Sequence, residues 1–410
     1  MPSSGKTVCV VGAGLSGLVS ARELLREGHE VTVIELANGV GGQWLYDDGH
    51  GMQSSSSVYA SLRLISPREA MGFSDFPFHA EVSGGGDTRR YPGHREFIRY
   101  IRDFCDAFGL MDAVRLNTRV VHISREPAPH DGCWPRWVVR STRDGVVTEE
   151  TFDAVVVASG NRSQPRLPAI DGMDTWRRRH LHCHSYRVPD PFRDEVVVIV
   201  GCKESGKDIG LELRKVAKES AGQPRQPAPP PADRPAAADG RVVFADGLCV
   251  DADTVIYCTG YTYSFPFLET EGQVTVDDNR ARWVAQVLSG RRMLPPEEEM
   301  LRSTDEYNRA RELAGVPKQR THDILDLEYC DEYGEKHCGF PRLEEWKKEL
   351  AWSSMTNNGD NLDTFRDDFR DSELVREGLR QNGWLPLVLS EERKEDEHAE
   401  SMATTAPPLN

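Results

Sequence analysis

The sequence predicts an α/β fold containing two similar strand–turn–helix units, and three observations predict it. Residues 7–11, Thr-Val-Cys-Val-Val, form a short apolar run that leads directly into Gly12-Ala13-Gly14-Leu15-Ser16-Gly17. Residues 195–201, Glu-Val-Val-Val-Ile-Val-Gly, repeat the run and its terminal glycine further along the chain. Between them, residues 30–35, Glu-Val-Thr-Val-Ile-Glu, read as a strand ending in a carboxylate, Glu35, about 20 residues past the first glycine loop.

Each part of the first unit has a physical task. Gly12 permits the tight turn off the strand, Gly14 lets backbone approach a pyrophosphate, and Gly17 lets the next helix pack closely on the sheet. Leu15, Leu18, Ala21, Leu24 and Leu25 recur at helical spacing, so the loop opens a helix whose N-terminus attracts phosphate. Glu35 stands where a carboxylate takes a ribose 2′-hydroxyl; it disfavours a 2′-phosphate, so this unit is expected to hold FAD or NAD. In the second unit, residues 202–209 open a helix that continues through Leu211, Leu213 and Val216. Lys203 occupies the place of the second glycine, which keeps backbone further from a phosphate, while Lys203 or Lys207 offers a cation to it. Together these make two Rossmann-like units, the arrangement of an enzyme that passes electrons between two nucleotide cofactors.

The remaining elements follow from periodicity. Residues 93–108 form an amphipathic helix with Phe97, Ile98, Ile101, Phe104 and Cys105 on one side. Strands are expected at 136–142, 146–151, 153–158, 241–246 and 254–259, and helices at 294–314 and 342–352. The turn-rich stretch 165–174 suits a crossover between domains, 221–240 is too rich in Pro and Ala to form a core element, and 390–410 is charged, then polar.

Composition removes other classes. A net charge of −16 over 410 residues argues against a nucleic-acid partner. Nine cysteines occur without any C-x-x-C, so neither a redox dithiol nor a zinc ribbon is readable. Cys330 and Cys338 beside His337 could be grouped as a metal cluster, but isolated cysteines are the commoner reading. His180, His182 and His184 alternate and would share one side of an extended segment, yet no carboxylate or further histidine follows at ligand spacing. No apolar run reaches the roughly 20 residues that span a bilayer, and no charged-then-apolar leader precedes the first strand. The expectation is a soluble, cytoplasmic protein.

Further motifs carry a resemblance. They are Gly41-Gly42-Gln43-Trp44, Ser61-Leu62-Arg63, Pro67-Arg68-Glu69, Asp75-Phe76-Pro77-Phe78, His182-x-x-x-Tyr186 with Arg187-Val188-Pro189, Thr259-Gly260-Tyr261 and Cys338-Gly339-Phe340-Pro341. With both glycine loops, they make residues 6–384 resemble the flavin-containing monooxygenases, in the plant branch similar to glucosinolate S-oxygenases. The resemblance implies that Gly12, Gly14, Gly17, Glu35, Gly42 and Trp44 hold FAD and that Gly201, Ser205 and Gly206 face NADPH. It implies a discontinuous FAD domain, 1–165 and 261–389, an inserted NADP domain, 166–260, and a tail, 390–410. In such enzymes NADPH reduces the flavin, O2 forms a C4a-hydroperoxide, and a thioether (methylthioalkyl glucosinolate-like) or amine takes one oxygen atom. No side-chain nucleophile is required, so no catalytic side chain is assigned.

The chain departs from that pattern. Trp176 and Arg178 replace an expected Phe and Gly, and Leu64-Ile65 replaces Thr-Asn, whose amide donates hydrogen bonds that Ile65 cannot. After Lys218 the family's apolar strand is expected to be missing, and a further segment is expected to be missing between residues 276 and 282. These departures motivate a rival reading, a degenerate flavin-binding chain without coupled oxygenase activity. A disulfide reductase would share the two-nucleotide plan but needs the dithiol motif absent here.

Overall fold

The computed structural model of the chain describes residues 5–47, 56–80, 86–126, 136–170, 172–223, 241–244, 246–268, 281–316 and 327–385. In chain order it begins β1 (Thr7–Val11), α1 (Leu15–Arg26), β2 (Glu30–Ile34), α2 (Arg68–Met71), α3 (His94–Ala107), β3 (Val114–Arg115), β4 (Arg119–Arg125), β5 (Trp137–Arg143), β6 (Val146–Phe152) and β7 (Ala154–Val157). It continues β8 (Gln164–Pro165), β9 (Arg179–His182), β10 (Val196–Val200), α4 (Glu204–Leu213), β11 (Glu219–Gln223), β12 (Arg241–Val243), β13 (Cys249–Asp251), β14 (Thr254–Tyr257) and β15 (Tyr261–Thr262). The helices α5 (Ala281–Leu288), α6 (Glu297–Leu313), α7 (Leu327–Tyr333), α8 (Glu345–Asp360) and α9 (Glu373–Gln381) follow. Contacts divide the chain into Met1–Leu64 with Pro92–Arg342 and Ile65–Tyr91 with Leu343–Asn410.

Both parallel sheets lie in the first unit. β1 is central in an order β3-β2-β1-β7, paired in parallel with β2 and β7. Its residues 8–11 are apolar without alternation because both sheet faces are covered. The antiparallel β4-β5-β6 sheet covers one of them, where Cys9, Val11 and Ile34 join Ile123, Val139 and Phe152 in one cluster. α1 contacts β1, β2 and β7 and buries Leu18, Ala21 and Leu24.

The second sheet has the same plan, β11-β10-β14-β9, all parallel. Val197, Ile199 and Ile256 face Ile209 and Leu213 of α4 on one side, while Val198, Val255 and Tyr257 pack on the other with Trp176 and Val250. A matching corner closes each sheet. The Asp153 carboxylate accepts the Thr7 N–H at 2.8 Å, and the Asp253 carboxylate accepts the Val196 N–H at 2.8 Å. In return the Asp153 N–H donates to the Thr7 carbonyl at 2.9 Å and the Asp253 N–H to the Val196 carbonyl at 2.8 Å.

One expectation is corrected. A strand does follow Lys218: β11 pairs with β10 over five residues, from Val196 opposite Glu219 to Val200 opposite Gln223. Its sequence, Glu-Ser-Ala-Gly-Gln, has no apolar run to betray it, and backbone pairing with β10 places it at the sheet edge. The linker expected over 221–240 therefore begins inside a strand; 224–240 lie outside the described residues, as do the junction between 276 and 281 and the tail 390–410. The strand expected over 241–246 is the shorter β12, closed into a hairpin with β13.

In the second unit Trp346, Leu350, Val375 and Leu379 form the core where α8 meets α9, and Gly378 lies flat against the Trp346 ring, where a Cβ would collide. Arg90 is held between Glu69 at 2.9 Å and Asp371 at 2.8 Å.

Candidate dinucleotide sites

The first turn is shaped by its glycines. Gly12 has φ +105°, and a Cβ there would lie 2.5 Å from the Ala158 carbonyl oxygen. A Cβ on Gly17 would collide with the Gly12 carbonyl oxygen, so this glycine sets how closely α1 approaches the sheet. Gly14 caps α1 in an extended conformation that any residue adopts, φ −72° and ψ 178°. What it offers is bare backbone: its Cβ would lie 3.6 Å from the Gly42 Cα, and a Cβ on Gly42 would lie 2.9 Å from the Gly14 Cα. The Gly41 N–H donates to the Ala13 carbonyl at 2.9 Å and joins the two segments. No side chain caps α1, which leaves its N-terminal dipole available to an anion.

Glu35 closes the lip of this turn. One carboxylate oxygen accepts the Ala13 N–H at 2.6 Å and the other the Ala37 N–H at 2.7 Å. The side chain is thereby fixed, and each oxygen keeps a lone pair for a hydroxyl. Trp44, in the short turn Gly42–Trp44, stands edge-on to Phe97 with ring centroids 4.7 Å apart.

Two polar groups are buried near these segments. His94 is 2% exposed, 5.3 Å from the Tyr46 ring, and burial, opposed by a hydrogen bond with the Ala60 backbone, pushes its pKa below the ordinary histidine value. The Ser159 hydroxyl, one residue past the Ala158 carbonyl that roofs Gly12, has no hydrogen-bond partner. Leaving such a group unpaired costs about 1–3 kcal/mol, which a polar ligand would relieve. Bare backbone, an uncapped helix N-terminus, a fixed carboxylate and an orphaned hydroxyl together fit a dinucleotide. Neither residue carries a signal in the sequence: Ser159 follows a strand, and His94 is one polar residue at the start of an amphipathic helix.

The second turn repeats the geometry. Gly201 has φ +104°, a Cβ on it would collide with the Cys258 carbonyl oxygen, and a Cβ on Gly206 would collide with the Gly201 carbonyl oxygen. Ser205 is exposed beside Gly206. Lys203 is exposed and caps α4 with φ −82° and ψ −169°, extended backbone that does not require glycine. The turn therefore folds normally with Lys203 in it, and the substitution alters what meets a ligand rather than the turn. Residues just beyond β11, where the counterpart of Glu35 would stand, lie outside the described residues.

The histidine signature supports this turn from below. His182 Nε2 lies 3.1 Å from the Gly260 carbonyl and Nδ1 accepts the His184 N–H at 3.1 Å, which places the neutral ring's proton on Nε2. The Tyr186 hydroxyl donates to Glu212 of α4 at 2.7 Å, and the Tyr59 hydroxyl donates to Asp208 of α4 at 2.7 Å. Arg178, one departure from the family pattern, pairs with Asp251 at 2.7 Å and donates to the Ala252 carbonyl at 2.8 Å; Trp176, the other, packs in the core. Among the described residues no three His, Cys, Asp or Glu side chains gather as metal ligands, and no helix is long and apolar enough to cross a membrane. Leu64 is buried, and Ile65 is 42% exposed.

Comparison with known proteins agrees with this geometry. The flavin-binding monooxygenase-like family model matches residues 5–223, which include both glycine turns. Flavin-containing monooxygenase FMO GS-OX-like 8 of Arabidopsis thaliana is 46% identical over 451 residues, covering 94% of this chain and 97% of the relative. That span exceeds the 410 residues of the chain, so the relative carries segments this chain lacks. Flavin-containing monooxygenase FMO GS-OX4 of the same plant is 37% identical, covering 94% of this chain and 96% of its own length. Among solved structures, S-allyl-L-cysteine S-oxygenase from Allium sativum matches with a TM-score of 0.81 and 35% identity over 94% of this chain and 99% of that one. Tmm from Pelagibacter, at 21% identity and a TM-score of 0.75, over 89% of this chain and 94% of that one, shares the fold. The chain belongs to the flavin-binding monooxygenase-like family, in the branch of the plant GS-OX-like flavin-containing monooxygenases.

Proposed function

We propose that this chain is an NADPH-dependent flavin monooxygenase that transfers one oxygen atom of O2 to a soft nucleophile, a thioether sulfur of the methylthioalkyl type or an amine nitrogen. The observation that carries the reading is the presence of two uncapped β-Gly-α turns of matching geometry, one with a fixed carboxylate at its lip and one with cationic side chains. The 35% identity to an S-oxygenase of a cysteine thioether favours sulfur over nitrogen.

FAD, held by Gly12, Gly14, Gly17, Glu35, Gly42 and Trp44, supplies the redox and oxygen chemistry when bound. The protein's own residues do the rest. Gly14 and Gly42 bring bare backbone to the pyrophosphate, the N-terminus of α1 offsets its charge, and Glu35 accepts from the ribose. Gly201, Ser205 and Gly206 receive the NADPH pyrophosphate on α4, with the Lys203 ammonium near it. The 1–165, 166–260 and 261–389 division, with the NADP domain inserted, belongs to the same proposal.

The test is spectroscopic, then stoichiometric. Purified protein should carry oxidised flavin that NADPH bleaches anaerobically, and in air a methylthio substrate should accelerate NADPH oxidation with S-oxide formed in equal amount. Bound flavin with NADPH consumption that no thioether or amine accelerates would favour the degenerate reading motivated by Ile65. Protein that neither carries nor takes up FAD would defeat both.

A further inference from the structure

The second turn rests on a pair of thiols brought together by the sheet. His182 and Tyr257 are opposite residues on the parallel strands β9 and β14, and Cys183 and Cys258 are the next residues along. Neighbouring parallel strands lie about 5 Å apart, and disulfides span Cα separations of roughly 4.4–6.8 Å. Both cysteines face one cluster, 5% and 9% exposed, and their side chains hydrogen-bond to each other. Above them the Cys258 carbonyl roofs Gly201, and a Cβ on Gly206 would lie 3.4 Å from the Cys258 Cβ. Cys183 also takes a hydrogen bond from Ser205 and sits 3.9 Å from His182 Nδ1.

We propose that Cys183 and Cys258 form a peroxide-reactive dithiol whose oxidation to a disulfide weakens NADPH binding at the turn above it. The link to NADPH rests on the proposed function; the dithiol chemistry does not. The hydrogen bond from Cys258, opposed by burial and joined by the Ser205 hydroxyl, lowers the Cys183 pKa, and the same contact raises that of Cys258, so the two sulfurs share one proton and Cys183 is the attacking sulfur of the proposal. The oxidant is hydrogen peroxide, which a flavin oxygenase releases whenever reduction outruns oxygen transfer. The Cys183 thiolate attacks one peroxide oxygen, the O–O bond breaks, and the departing hydroxide takes from solvent the proton that Cys183 gave up on ionising and leaves as water, so that Cys183 becomes a sulfenic acid. The Cys258 sulfur then attacks the Cys183 sulfur; the S–S bond forms, the S–O bond breaks, and hydroxide leaves with the Cys258 proton as a second water. Two thiols lose two electrons and two protons, and peroxide is reduced to two waters. The new bond removes the thiolate acceptor of the Ser205 hydrogen bond and ties β9 to β14 covalently under Gly201 and Gly206. The device would stop NADPH consumption when peroxide accumulates.

Full-length protein, without NADPH, is exposed to hydrogen peroxide, alkylated under denaturing conditions and mapped by mass spectrometry. The expected result is a peptide cross-linked through Cys183 and Cys258, reversed by dithiothreitol, and in Cys258→Ser a dimedone-trapped sulfenic acid at Cys183. Peroxide that oxidises the exposed Cys202 yet leaves both thiols free would overturn the proposal. NADP+ titration of the two forms reads the second half: affinity should fall about tenfold on oxidation and return on reduction. Equal affinities would overturn the regulatory link. A cross-link in protein that never binds NADP+ would overturn that link through the proposed function, leaving the dithiol chemistry supported.

Discussion

The two glycine turns of this protein share a backbone and differ in what they present. At Gly12 and Gly201 φ is +105° and +104°, the end of the neighbouring parallel strand roofs each turn through Ala158 or Cys258, and Gly17 and Gly206 press on the carbonyls of Gly12 and Gly201. Between those fixed points Gly14 is replaced by Lys203, and beneath them Thr7 is replaced by Val196 and Ala158 by Cys258. The lesson is that glycine is retained where the turn presses on its own backbone, while the intervening residue varies because its backbone is extended: Gly14 faces Gly42, and Lys203 is exposed. The first turn presents bare backbone and a carboxylate; the second presents a cation and stands on a thiol pair.

The largest effect should break both turns alike. Gly17→Ala and Gly206→Ala place a methyl group against backbone oxygen, so each should cost more than about 3 kcal/mol in urea unfolding, with flavin lost in the first case and NADP+ binding lost in the second. Wild-type stability in either variant would show that the packing described is not the one adopted. Next, Glu35→Gln should raise the dissociation constant for FAD roughly 10- to 100-fold, since a carboxylate acceptor for two N–H groups and a ribose is weakened by about 1–3 kcal/mol. Unchanged FAD affinity would remove Glu35 from the site.

Lys203→Ala sharpens the contrast with Gly14. NADP+ affinity should drop about three- to tenfold at low salt and converge on wild type at high salt, because an exposed ammonium acts through screened charge. Tighter binding by the variant would mean that Lys203 obstructs rather than attracts. The smallest effect concerns the two aspartate corners. Burial opposes ionisation of Asp153, but hydrogen bonds from the Thr7 N–H and hydroxyl, with the charges of Arg136 and Lys6, lower its pKa below the ordinary carboxylate value. A folded pKa below the unfolded value, about 4, contributes stability present above that value and lost as pH falls through the folded pKa. Asp153→Asn should therefore cost about 1 kcal/mol at neutral pH and progressively less in acid, and Asp253→Asn should cost less than that at neutral pH because Val196 offers no hydroxyl. Parallel unfolding curves at pH 7 and pH 3 measure the difference; an acid-independent cost at Asp153 would contradict it.

Much of the frame was legible because it follows local rules. Apolar runs without alternation marked β1 and β10, glycine spacing marked the turns, and helical periodicity marked α1, α3 and α4. Elements held by neighbours escaped: β11 is polar and β4 pairs with β5 through a bulge near residues 120–122. At the first turn, Glu35 is singled out in sequence by its distance from the loop, but the burial of His94 and of the Ser159 hydroxyl is visible only in the fold. Lys203 looked like a defect in sequence; its extended backbone shows that the turn accommodates it.

By itself the sequence determined the family, the two nucleotide turns and the carboxylate of the first, since each depends on residues a fixed number of positions apart along one strand, loop and helix. The absence of any C-x-x-C leaves no redox dithiol readable in chain order, since that motif relates only cysteines close along the chain. Only the tertiary structure placed Cys183 against Cys258, 75 residues later, because parallel strand pairing joins residues that no local pattern can relate.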